Sequence, residues 1–121
     1  MNLEILAIKE HGDASEEYVM LYANATIDLG NYAIVDTTFN KKGGVSNVMR
    51  HYYRFPLGHI VKKGECVSLW TCKGKNQTGL KTTKGTPLHR FYWGSSHAIW
   101  NDNDPDVAEL LFVKTLEKAA A

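Results

Sequence analysis

Long apolar runs are missing from these 121 residues, and nothing approaches the ~20 consecutive hydrophobic residues of a membrane-crossing helix. The opening Met1-Asn2-Leu3-Glu4 lacks the basic-then-apolar order of a secretory leader. A domain cut from a longer secreted protein would share both features, so the compartment and the parent protein stay open. Metal-binding spacing is also absent. Cys66, Cys72, His11, His51, His59, His89 and His97 form neither a Cys-x-x-Cys nor a His-x-x-x-His pair, the spacings by which zinc sites are recognised. No metal or other cofactor is expected. Ser95-Ser96-His97 and Asp102 bring a hydroxyl, an imidazole and a carboxylate close together in sequence. They come without a Gly-x-Ser-x-Gly elbow or an oxyanion-loop signal, so hydrolysis is only a distant third reading.

Cysteine is scarce, with two in the whole chain, and both fall in one apparent strand. Six residues of extended backbone at ~3.4 Å each separate Cys66 from Cys72 by about 20 Å. Bridged α-carbons lie within ~7 Å, so two free thiols are expected rather than a mutual disulfide.

What is present is the composition of an ordinary globular domain. Hydrophobic residues make up 44% and charged residues 22%, enough to bury a core. The length fits one domain, residues 1–121, since single domains cluster near 100 to 150 residues. There is no internal repeat and no low-complexity tract. Short segments rich in β-branched and aromatic residues recur between polar or glycine-containing breaks, the pattern of an all-β sandwich or barrel. Strands are expected near 3–9, 17–23, 32–38, 48–55, 65–72, 87–93 and 107–114. In the last, Ala108-Glu109-Leu110-Leu111 would also suit a helical turn by propensity.

Alternation is clearest in the fourth segment. Met49, His51, Tyr53 and Phe55 share one face, while Arg50, Tyr52 and Arg54 share the other, so the arginines should face water and Tyr53 and Phe55 the core. An inward His51 should be neutral and hydrogen-bonded. In the second segment Val19 and Leu21 alternate with Tyr18, Met20 and Tyr22, which implies a central or partly covered strand. Pro56 should end the fourth strand, and Lys62-Lys63-Gly64 should turn the chain into the fifth. Asn40 to Ser46 and Lys73 to Gly85 are expected as mobile loops.

Laid in order, these segments resemble the lamin-tail domain, the immunoglobulin-like module at the C-terminal end of nuclear lamins that also occurs in bacterial proteins. The resemblance runs from about Leu3 to Thr115. It is carried by Glu17-Tyr18-Val19-Met20-Leu21 with Asn24, by Asp28-Leu29-Gly30-Asn31-Tyr32, and by Tyr53-Arg54-Phe55-Pro56. Val61-Lys62-Lys63-Gly64-Glu65 leading to Val67, Leu69 and Trp70 follows, then Trp93-Gly94, and Ile99-Trp100-Asn101 ahead of Asp106-Val107-Ala108. Two departures stand out: tyrosine at 32 where the family usually has tryptophan, and Asp104-Pro105-Asp106 where it tends to have Asp-Gly. With no coiled-coil rod or nuclear localisation run, the likeness is to the tail alone. It implies an immunoglobulin-like β-sandwich of about seven to nine strands acting as a binding or structural module and not as an enzyme. It also implies that Trp93 and Trp100 are core or corner residues, and that Arg54 lies on an exposed basic surface used for DNA and partner contacts.

Charge is distributed unevenly. Residues 41–90 hold eleven basic residues, Lys41, Lys42, Arg50, Arg54, Lys62, Lys63, Lys73, Lys75, Lys81, Lys84 and Arg90, against Glu65 alone. The flanking segments are acidic, and the whole chain nets only +1. Clustered on one face, such a block would attract phosphates; scattered, it would be ordinary solvated surface. The candidate anion or partner surface is Arg50, Arg54, Lys62, Lys63, Lys73, Lys75 and Tyr52. Aromatic faces among Trp70, Trp93, Trp100 and the tyrosines could also stack on a sugar or base, with Tyr52 and Tyr92 as surface anchors. The leading expectation is a protein-binding or scaffold module with an unidentified protein partner. The alternative is a module holding nucleic acid or another polyanion. Oligomeric state is left open.

Overall fold

The computed structural model describes residues 1–38, 51–100 and 106–121. Among them run ten strands: β1 (Leu3–Lys9), β2 (Tyr18–Ala23), β3 (Ile27–Asp28), β4 (Tyr32–Thr38), β5 (His51–Arg54), β6 (Ile60–Val61), β7 (Cys66–Trp70), β8 (Gln77–Lys81), β9 (Pro87–Tyr92) and β10 (Asp106–Phe112). A single 3-10 turn, Leu29–Asn31, joins β3 to β4. No helix among the described residues is long and apolar enough to cross a membrane.

The strands form three sheets, in the orders β1-β2-β7-β9-β8, β10-β4-β5 and β3-β6. All pairs are antiparallel except β7 with β9. That parallel pair arises because β8 runs out to the sheet edge before β9 returns beside β7. The architecture is all-β and sandwich-like. Val19, Leu21, Val67, Leu69 and Phe91 of the five-stranded sheet share one core with Tyr32, Ile34 and Phe55. Phe55 meets Phe91 edge to face across that core at 5.3 Å.

Alternation along β2, and at Tyr52 and Tyr53 of β5, does what the sequence implies. Val19, Leu21 and Ala23 are buried while Tyr18, Met20 and Tyr22 lie half-exposed on the opposite face, and β2 is central between β1 and β7. On β5, Tyr53 packs against the core and Tyr52 is exposed. Residues 48–50 of that expected strand, and the 40–46 loop, lie outside the described residues. The final segment is a strand and not a helical turn, because seven consecutive residues pair with β4. The 73–85 stretch departs from expectation: it contains β8, paired with β9 around a register shift between Gln77 and Leu80. Gly79 takes a positive φ of 74° within that shift, a backbone state that glycine reaches without steric cost.

Turn chemistry sets the ends. Pro56 lies two residues past the end of β5. Glu65 N–H donates to Lys62 O at 3.0 Å with Gly64 at φ 90°, so Lys62 to Glu65 is a tight turn whose third position needs glycine. Both cysteines are free thiols, Cys66 buried and Cys72 half-buried.

Candidate functional site

The outward face of the five-stranded sheet carries an ordered row of side chains. With Val67 and Leu69 directed to the core, Cys66, Ser68 and Trp70 of β7 point the other way, as do Tyr18, Met20 and Tyr22 of β2 and Leu88, Arg90 and Tyr92 of β9. Tyr18 and Trp70 are directly paired across strands, and their rings stack at 4.6 Å and 19°. The Arg90 guanidinium lies 5.0 Å from the Trp70 centroid, within cation–π range, and Trp70 Nε1–H donates to Ser68 Oγ at 3.3 Å. Because β2 and β9 flank β7 on opposite sides, Trp70 is contacted by a side chain from each neighbouring strand. Trp100 is buried and meets the half-buried Trp93 edge to face at 6.2 Å, in the core.

The expected basic surface is divided. Arg50 lies outside the described residues. Tyr52 and Arg54 project from the outward side of β5, and Tyr52 is 49% exposed. Arg54 is half-buried: its Nε–H donates to Gly30 O at 2.8 Å and its guanidinium to Thr115 Oγ1 at 3.1 Å, so it braces the turn into β4. Exposed Lys62 and Lys63 stand in the turn before β7, while exposed Lys73 and Lys75 leave from its other end, about 20 Å away along the strand. The pairings place two further lysines beside the first group. Lys81 pairs with Pro87, and Leu88 with Cys66, so Lys81 and Lys84 sit at the Lys62-Lys63 end, two strands or about 10 Å across.

Carboxylates and imidazoles are engaged in local networks. Glu17 is fully buried at the start of β2. Its Oε2 accepts from Thr71 Oγ1, from Ile99 N–H at 2.9 Å and from Trp100 N–H at 3.2 Å, and its Oε1 from Gly12 N–H at 3.0 Å. One side chain thus ties the 10–17 loop, the end of β7 and the 99–100 segment together. Asp28 accepts from Gly30 N–H at 2.9 Å and Gly58 N–H at 3.1 Å. Asp36, 1% exposed, accepts from His51 N–H at 2.6 Å and lies 3.0 Å from its Nδ1. His51 is hydrogen-bonded as expected, but its side chain is 44% exposed. Ser95 Oγ–H donates to His97 O and accepts from His97 N–H at 2.7 and 3.1 Å, so this hydroxyl closes a local turn; Asp102 lies outside the described residues.

Three further groups form a chain at the lysine-bearing end. His59 Nε2 lies 2.9 Å from His89 Nδ1, and His89 Nε2 lies 3.1 Å from Glu65 Oε1. That oxygen also accepts from Lys62 N–H at 2.8 Å. The Lys62 N–H bond holds the Glu65 carboxyl below its ordinary value against the opposing effect of burial, with lesser help from the neighbouring His89. Burial, then the neighbouring His89, push His59 down, while Asp28 and Glu65 pull it up. Among the described residues no three His, Cys, Asp or Glu side chains are arranged to hold a metal ion.

Sequence reading missed the roles of Glu17, Lys81, Lys84 and the His59–His89–Glu65 chain. His59 and His89 are thirty residues apart and no spacing rule links them. Glu17 did carry a signal, an acid immediately ahead of an apolar strand. No protein-family model matches the chain, and no curated protein matches it significantly.

Proposed function

We propose that this chain is a lamin-tail-like domain with an immunoglobulin-like β-sandwich fold, and that it works as a non-catalytic protein-binding or scaffold module. The observation that carries the reading is the Tyr18–Trp70–Arg90 row on the outward face of the five-stranded sheet. Tyrosine, tryptophan and arginine are the residues that most often dominate the energy of protein–protein contacts. Held in a stack, they lose little side-chain entropy on binding. The motif order quoted above supports the family assignment, and the shared core of the two larger sheets is what such a fold requires. The acids and the Ser95 hydroxyl described above are engaged in local bonds that brace turns and strand ends.

A second reading is favoured by one observation, the convergence of Lys62, Lys63, Lys81 and Lys84 at one end of the sheet. These four would hold a polyanion without sequence preference. Titration with duplex DNA at low salt separates the two readings. The protein-binding reading predicts no saturable binding. Binding with a slope of log affinity against log salt near about −3.6, from ~0.9 per neutralised phosphate, and lost in Lys62→Glu/Lys84→Glu, would overturn it in favour of the polyanion. Arg54→Glu is unsuitable here because Arg54 braces Gly30.

A further inference from the structure

We propose that Glu65, His89 and His59 form a proton-operated latch, which holds the loop between β5 and β6 against β9 while the two imidazoles carry at most one extra proton and releases it when both are charged.

The geometry sets the proton count. With Glu65 ionised, the 3.1 Å contact places a proton on His89 Nε2, since a carboxylate can only accept. A neutral His89 then offers Nδ1 as an acceptor, and the 2.9 Å contact requires His59 to donate from Nε2. One added proton fits without rearrangement, on His59 Nδ1, because Nε2–H still donates. A second does not. It must go to His89 Nδ1, and two N–H groups of two cations would then face each other across a distance that suits only a donor and an acceptor.

What the latch holds is defined by its neighbours. The His59 ring meets Phe91 edge to face at 5.0 Å, so it covers part of the core. Its carbonyl accepts from Leu29 N–H at 2.8 Å, and the preceding Gly58 N–H bonds to Asp28. Loss of the imidazole contact therefore loosens the attachment of residues 56–59 to β3 and the 3-10 turn, beside Lys62 and Lys63. The charged groups facing the pair act in different senses. Asp28 on β3 and Glu65 in the turn favour charge on His59, and His89 opposes it. Lys62 acts on Glu65, whose carboxylate accepts the Lys62 backbone N–H and feels its charge.

The test combines a histidine-resolved NMR titration from pH 8 to pH 4 with amide hydrogen exchange at Gly58 and Leu29, corrected for intrinsic pH dependence. The latch predicts two separated protonation steps for the His59–His89 pair. Exchange at both amides should become roughly tenfold faster across the second step, about the loss of one hydrogen bond to a charged group. His59→Gln is the control: its carboxamide can donate to neutral His89 or, flipped, accept from charged His89. Amide protection in that variant should be independent of pH over the same range. A single shared protonation step for the two imidazoles, unchanged exchange across the second step, or the same pH-dependent release in His59→Gln would each overturn the latch.

Discussion

Replacing Glu17 tests whether one buried carboxylate holds three parts of the fold together. Glu17→Ala leaves Ile99 N–H, Trp100 N–H, Thr71 Oγ1 and Gly12 N–H without the acceptor they share. A buried donor that loses its partner costs about 1–3 kcal/mol. Water entering the vacated space recovers part of this, so the net loss should be about 3–5 kcal/mol. That is a large fraction of the ~5–15 kcal/mol by which domains are stable. Glu17→Gln differs in kind. Its carboxamide oxygen can occupy the Oε2 position and keep three donors, while its NH₂ faces Gly12 N–H. Losing one bond and the charge should cost about 1–2 kcal/mol. Urea melts followed by tryptophan fluorescence report directly, since Trp100 is itself a donor to Glu17. A Glu17→Ala midpoint within about 1 kcal/mol of the parent, or equal damage from the two variants, would refute the reasoning.

Phe55→Ala and Trp100→Ala should each destabilise by ~3–5 kcal/mol, because both side chains are almost completely buried; an unchanged denaturant midpoint would place that residue at the surface. In unfolded, non-reduced protein both cysteines should titrate as thiols. In native protein Cys72 should alkylate first, since Cys66 is buried and its thiol is pushed up by that burial; a monomer lighter by two hydrogens would contradict this. Stability should fall as pH is lowered. His59 is depressed from its ordinary 6.5, so its contribution is present above that value and lost as pH drops through the folded one. Glu65, depressed from 4.5, adds a further loss at lower pH. Thermal melts between pH 8 and pH 4 check the sign, and a midpoint that rises on acidification would show it to be wrong.

Strands rich in β-branched and aromatic residues were legible because side-chain alternation and the division between core and solvent share one period. Tyr18-Val19-Met20-Leu21-Tyr22 states its faces outright, and so does Tyr52-Tyr53, whereas His51, expected inward, is largely exposed. β8 was not legible: Gln77-Thr78-Gly79-Leu80-Lys81 is a mostly exposed edge strand with a glycine at its irregularity, so neither burial nor propensity marks it. The two-residue β3 and β6 are too short to carry any periodicity. Of the candidate site, the charge excess of residues 41–90 was visible, but the placement of Lys81 and Lys84 at the Lys62-Lys63 end depends on strand pairing, which composition does not encode. Arg54 shows the same limit. Its outward register was readable, whereas its bond to the Gly30 carbonyl depends on where the 3-10 turn falls against β5.

Photo-crosslinking from Met20, which stands opposite Ser68 on the outward face of the five-stranded sheet, tests protein binding through that face. Thr83, in the lysine-bearing hairpin, serves as the comparison site. The account predicts a protein adduct from position 20, and a purified partner whose affinity drops at least about tenfold in Arg90→Glu, the scale of an interface anchor. Adducts to nucleic acid from position 83 with none from position 20, or a partner indifferent to Arg90→Glu, would contradict it.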